Sequence, residues 1–134
     1  MPLRMKLRTR SQSIRLRLTQ DEVKKLSQHG QLAETVAFAP DPDGSLVYEL
    51  VSSEVATAVG ASFSRGKITV TVPAKILRAW SDGDDVGFEG EQAVPGGTPL
   101  AILVEKDWAC LKPRANEDDA NAYPHPEAGK ATDC

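Results

Sequence analysis

The sequence predicts an α+β domain, a mostly antiparallel β-sheet carrying two short helices and followed by a disordered polar C-terminal tail. Three observations predict it. Apolar and polar residues alternate with period two along much of the chain, the signature of half-buried strands. Two segments, beginning near Thr19 and Pro73, replace that alternation with helical spacing and helix end signals. The connections between the alternating runs are short, which favours antiparallel neighbours. One domain over residues 1–111 is expected, because one core serves about 100–200 residues, with 112–134 as the tail.

The elements follow in order. Leu3, Met5 and Leu7 fall on one face of the first strand, and Ile14, Leu16 and Leu18 on one face of the second. A fold over Arg10-Ser11 pairs Leu7 with Ile14, Met5 with Leu16 and Leu3 with Leu18. The same register sets Lys6 opposite Arg15 and Arg4 opposite Arg17. Thr19 and Glu22 read as a capping box opening a helix whose apolar stripe holds Val23 and Leu26, and Gly30 suits its end. Gln31 to Ala39 alternates again, with Leu32, Val36 and Phe38 on one face. Asp41-Pro42-Asp43-Gly44 is a turn, and Leu46, Tyr48 and Leu50 mark the returning strand. Val55 to Ser64, a tight Arg65-Gly66 connection and Lys67 to Val72 form the next hairpin. Pro73 fits the first position of a helix with Ile76, Leu77 and Trp80 on its apolar face. Val86 to Val94 and Leu100 to Val104 close the list, joined through Pro95-Gly96-Gly97. No internal repeat is evident, and the pattern reads as antiparallel throughout.

Composition narrows the function. The chain is 40 % hydrophobic and 26 % charged, ordinary values for a globular domain. No apolar run approaches the roughly 18 residues that cross a membrane. Arg15 and Arg17 interrupt the place where a secretory leader needs an apolar stretch, so a cytoplasmic location is expected. Two cysteines, Cys110 and Cys134, make no disulfide framework. Charge is unevenly spread. Residues 1–18 hold six bases and no acid, leaving ten bases against nineteen acids, a net of −9, for the remainder. A basic edge thus sits on an acidic body.

The stretches MKLRTRSQSIRLRLTQDEV, KITVTVP and EKDWACLKPR…DANAYPHP together resemble a small family of short bacterial proteins of unknown function, over about residues 5–125. The resemblance implies that Met5 is an alternative start and that the segment around Cys110 belongs to the family pattern. It also implies that the proline-flanked position of His125 takes other polar residues, which argues against a metal role for it. No activity comes with the family.

Candidate sites are few. Arg4, Lys6, Arg15 and Arg17 gather on one face of the first hairpin, where opposed like charges repel and call for counter-charge. Acids of the same chain, among them Glu49, Glu89, Glu91, Glu105 and the 117–119 run, are the simpler source. The functional reading is an anionic partner, a protein or a small ligand. Nucleic acid is disfavoured, because no aromatic is interleaved for stacking and the pI is near 5.4. Cys110 and His125 carry suitable ligand atoms for zinc or copper, yet their spacing matches no closed metal site. Lys106, Lys112 and Arg114 near Cys110 offer the positive field a reactive thiol needs, against the simpler reading of a buried inert one. His29 suits a helix C-terminus. Glu89 and Glu91 read as a solvated strand face, and residues 82–85 lack the spacing of a calcium loop. No cofactor is expected and no catalytic constellation emerges. The expectation is a non-enzymatic binding or accessory domain, with a metal- or thiol-handling role through Cys110 as the alternative. Nothing in the sequence sets the oligomeric state.

Overall fold

The computed structural model describes residues 4–107 and residue 123. Cys110, His125 and all of the expected tail except Tyr123 lie outside the described residues. Eight strands and two helices follow in the order β1 (Lys6–Thr9), β2 (Ser13–Leu18), α1 (Gln20–His29), β3 (Gln31–Ala37), β4 (Ser45–Ser53), β5 (Gly60–Ser64), β6 (Lys67–Pro73), α2 (Ala74–Asp82), β7 (Gly87–Gln92) and β8 (Leu100–Lys106). They form two four-stranded sheets with strand orders β1-β2-β8-β7 and β3-β4-β6-β5. The helices pack against each other and on strands of both sheets.

The α+β class with mostly antiparallel strands holds. The pairing is not antiparallel throughout, however. At the centre of each sheet two strands run parallel, β2 with β8 and β4 with β6. Periodicity cannot reveal this, because these pairings join strands that are not consecutive in the chain.

The chain also repeats, although no repeat was evident along the sequence. Residues 6–53 and 60–106 each fold as ββαββ. The register of the hairpins gives the spacing: Leu7 pairs with Leu16, and Ala61 with Val70, each 54 residues further on (61 less 7, 70 less 16). Across the parallel pairs, Leu16 meets Val104 and Leu50 meets Val70, again 54 apart (104 less 50). Only β7 is displaced from β3 by two further residues, since Leu32 pairs with Leu50 and Phe88 with Val104 (88 less 32 is 56). A two-fold operation therefore exchanges the halves and the sheets. The core obeys it. Met5 and Val59, Leu16 and Val70, Leu18 and Val72, Val23 and Leu77, Leu26 and Trp80, Leu50 and Val104 are all buried pairs related in this way. The repeat hides in the sequence because IRLRLTQDEVKKL and ITVTVPAKILRAW share apolar spacing but only their first residue.

Local readings fare differently. The capping box at α1 is present, with Glu22 Oε1 accepting from Thr19 N at 3.0 Å and Thr19 Oγ1 accepting from Glu22 N at 3.4 Å. The helix ends at Gly30 in the left-handed region. Pro73 is the N-cap of α2 rather than its first residue, and Ala74, Leu77 and Trp80 are its buried face, with Ile76 exposed. Strand β5 starts at Gly60 rather than Val55, because the Ser53 hydroxyl accepts from the N–H groups of Val55 and Ala56 and bends the chain. Arg65 and Gly66 both have positive φ, as a type I′ hairpin turn requires.

The first hairpin pairs two residues out of the expected register. Leu7 faces Leu16 and Lys6 faces Arg17. Its turn centres on Ser11-Gln12, closed by Arg10 N donating to Ser13 O at 3.2 Å and by the Ser13 hydroxyl donating to Arg10 O at 2.7 Å. A slip of two keeps every side chain on its face, so the apolar pattern does not discriminate against it.

Candidate functional site

Directly paired residues share a face, so the outer surface of the β1-β2-β8-β7 sheet can be written in rows. One row runs Arg8, Arg15, Leu103, Glu89 and the next Lys6, Arg17, Glu105, Gly87. Cations occupy β1 and β2, and carboxylates occupy β7 and β8. Alternation against the buried Leu16, Leu18, Ile102 and Val104 fixes this outward placement.

Intramolecular pairing meets part of the positive charge. Glu105 Oε1 lies 3.3 Å from Arg15 Nε and 3.5 Å from Arg17 Nη2, so one carboxylate serves two guanidiniums. Lys6 Nζ is 3.4 Å from Asp107. Arg17 and Glu105 are largely covered, which strengthens their attraction relative to fully exposed pairs. Of the described acids considered as partners, Glu105 is the one paired with this cluster, whereas Glu49 sits on the other sheet with Lys67 and Thr69; residues 117–119 lie outside the described residues.

Arg4 is not part of this surface group. It crosses to β3, where its Nη1 donates to Glu34 at 3.1 Å. Arg8 takes the fourth position instead, directly opposite Arg15. Period-two alternation puts Arg8 on the Lys6 face, and that signal was available in the sequence. Arg8 is exposed, and among the described residues it has no ion-pair partner. Among the described residues, four cations therefore face two carboxylates on β1, β2 and the adjoining end of β8.

Arg4 marks a second feature. The two sheets meet at two seams: β5 lies against β7, and at the equivalent place the residues just before β1 reach β3 and β4, Arg4 to Glu34 and Met5 to Tyr48. At the first, Gln92 donates from Nε2 to Ala61 O at 2.8 Å and accepts from Ala61 N at 2.7 Å, a side chain imitating a strand neighbour. Gly90 lies so close that a Cβ there would sit 2.8 Å from Val59 Cβ. At the second seam Glu34 takes the place of Gly90. A cleft of about 580 Å³ opens there, lined by Arg4, Thr19, Asp21, Glu22, Lys25, Leu32 and Glu34. Tyr48 pairs with Glu34 across β3 and β4, and its hydroxyl donates to Met5 O at 2.7 Å. Burial, then the negative charges of Glu34 and Glu22, push the Tyr48 phenol above its ordinary pKa, with Arg4 opposing them.

The sequence matches the family described as "Family of unknown function (DUF7009)" over residues 5–127. The chain belongs to this family. The DUF7009 match spans both ββαββ repeats, so the duplicated unit is the family's domain. No curated protein matches the chain. Among the described residues, no three His, Cys, Asp or Glu side chains gather to hold a metal ion, and no helix is long and apolar enough to cross a membrane.

Proposed function

We propose that this domain is a binding module that docks an acidic protein surface on the outer face of β1 and β2. One observation carries the reading. Arg8 and Arg15 are directly opposed, and among the described residues one carboxylate is shared by Arg15 and Arg17. Opposed like charges in a strand pair are destabilising, so an external carboxylate bridging the two guanidiniums would remove a cost built into the free domain. Arginine forks suit carboxylates in this role.

A protein surface fits better than a small anion. The face is the outer surface of a sheet, not a pocket. A cavity beside it, about 430 Å³, is lined by Arg15 but also by Glu89 and Glu91, which repel an anion. Binding of poly-glutamate tests the reading, with inorganic phosphate and a DNA oligonucleotide as comparisons. Poly-glutamate should bind, weaken as salt rises, and lose affinity roughly tenfold or more in Arg8→Glu. Unchanged affinity in Arg8→Glu would remove the proposal. Preference for DNA would replace it with a nucleic-acid role.

A further inference from the structure

The two-fold relation between the halves supplies an internal control for every exposed residue. A position that is apolar in both halves is required by the fold. One that is apolar in a single half is not. At the end of the β3-β4-β6-β5 sheet, the inward-facing row Glu34, Tyr48, Ile68, Phe63 is followed by Val36 and Leu46. Phe38 continues the alternation of Val36 past the strand, its N–H donating to Gly44 O at 2.7 Å. This end overhangs the other sheet. Phe38 is 77 % exposed, Phe63 70 % and Val36 42 %.

The equivalent end of the other sheet is more polar. Thr9 stands where the second half has Phe63 (63 less 9 is 54), and Gln92 stands where the first half has Val36 (92 less 36 is 56), while Phe38 corresponds to the smaller, half-buried Val94 (94 less 38 is 56). Ile14 and Leu100 are the half-buried counterparts of Ile68 and Leu46. The architecture thus tolerates Thr and Gln at these places. Two of the chain's three phenylalanines nevertheless lie in water on the overhang. Together with Val36 they leave about 300–400 Å² of apolar surface, the scale of a functional patch on a monomer.

The rim indicates what covers it. The β3-β4 turn carries Asp43 and the β5-β6 turn carries Arg65, both exposed. The turns are neighbours, since Val47 N donates to Gly66 O at 2.9 Å. Among the described residues neither Asp43 nor Arg65 has an ion-pair partner. In the strand order β3-β4-β6-β5, a two-fold axis lying along the strands between β4 and β6 would set each copy's Asp43 turn against the other's Arg65 turn, and Phe38 against Phe63, because the members of each pair lie on opposite sides of it. That is the self-complementarity an isologous contact needs.

We infer that the overhang formed by Val36, Phe38 and Phe63 is a homodimer interface, closed by reciprocal Asp43–Arg65 pairs. Two such patches bury about 600–800 Å² of apolar surface before the rim is counted, below the roughly 1,200 Å² of stable specific contacts and in the range of weak, transient ones. The dimer is therefore weak and reversible.

Sedimentation equilibrium of the full chain, from low micromolar to near-millimolar concentration, tests this. A monomer–dimer equilibrium is expected. Phe63→Thr, which copies Thr9, should weaken it at least tenfold with little change in melting temperature. Arg65→Asp and Asp43→Arg should each weaken it, and the two together in one chain should restore it, because only an isologous contact re-pairs the reversed charges. A monomer at every concentration, species larger than a dimer, a dimer indifferent to Phe63→Thr, or failure of the double reversal to rescue would each overturn the inference.

Discussion

The two repeats build the same helix in the same place by different means. Helix α1 is secured locally, by the reciprocal Thr19–Glu22 cap at one end and left-handed Gly30 at the other. Helix α2 has no side-chain cap bond, and its C-terminal Gly83 is extended. What α2 has instead is Trp80, 1 % exposed, set edge-on to Phe88 with ring centres 5.1 Å apart and its Nε1 donating to Val86 O at 3.2 Å. Capping contributes about 1 kcal/mol, whereas burying a large aromatic contributes several. A helix that lacks end signals can therefore persist where its packing is strong enough. The same pair of repeats shows that a seam can be sealed by small residues or left open around charged ones.

The largest expected effect tests the helix comparison directly. Trp80→Ala should cost about 3–5 kcal/mol and its counterpart Leu26→Ala about 2–5 kcal/mol in urea unfolding. The tryptophan is expected to exceed the leucine, because the ring contact and the Val86 hydrogen bond go with it. Equal losses would show that α2 depends on packing no more than α1 does.

The seams give the next contrast. Gly90→Ala pushes a methyl group onto Val59 and should cost roughly 1–3 kcal/mol. Glu34→Ala, at the matching position, removes an ion pair whose arginine is 71 % exposed and should change stability by less than about 1 kcal/mol. If both changes proved neutral, the closed seam would be looser than its geometry indicates.

The last contrast concerns Tyr48 and sharpens the comparison through pH. Tyr48→Phe forfeits the bond to Met5 O, about 1 kcal/mol at neutral pH. Below the ordinary phenol value of 10.0, folded and unfolded chains both keep the proton and stability is unaffected by it. Above that value the unfolded chain ionises first, since the folded phenol is raised, so the native state loses stability as pH climbs toward the folded value. The phenylalanine variant should show a smaller loss on the alkaline side, measured by thermal melting between neutral pH and about 11.

Much of the local structure was legible in the sequence. The Thr19–Glu22 box, the buried faces of β2 and β6, and the turn at residues 41–44 each rest on neighbours in the chain. What was not legible depends on partners far along it. The parallel pairs need β8 and β6, which no period-two pattern connects to β2 and β4. The two-residue slip in the first hairpin left every face unchanged, so hydrophobicity was silent about it. It did decide which cations meet: Arg8 opposes Arg15, and Arg4 goes to Glu34. Glu105 was among the acids considered, but its role in holding both Arg15 and Arg17 follows from the parallel register alone.

The crossing of the halves has a consequence for synthesis. Strand β2 takes its second neighbour from β8, so the N-terminal hairpin leaves the ribosome long before the residues that complete its sheet have been made. Until Lys106 emerges, Ile14, Leu16 and Leu18 lack the strand beside them in the finished sheet, and contacts of such long sequence separation form slowly. The nascent chain thus passes through an interval in which its most basic segment is also an unfinished edge.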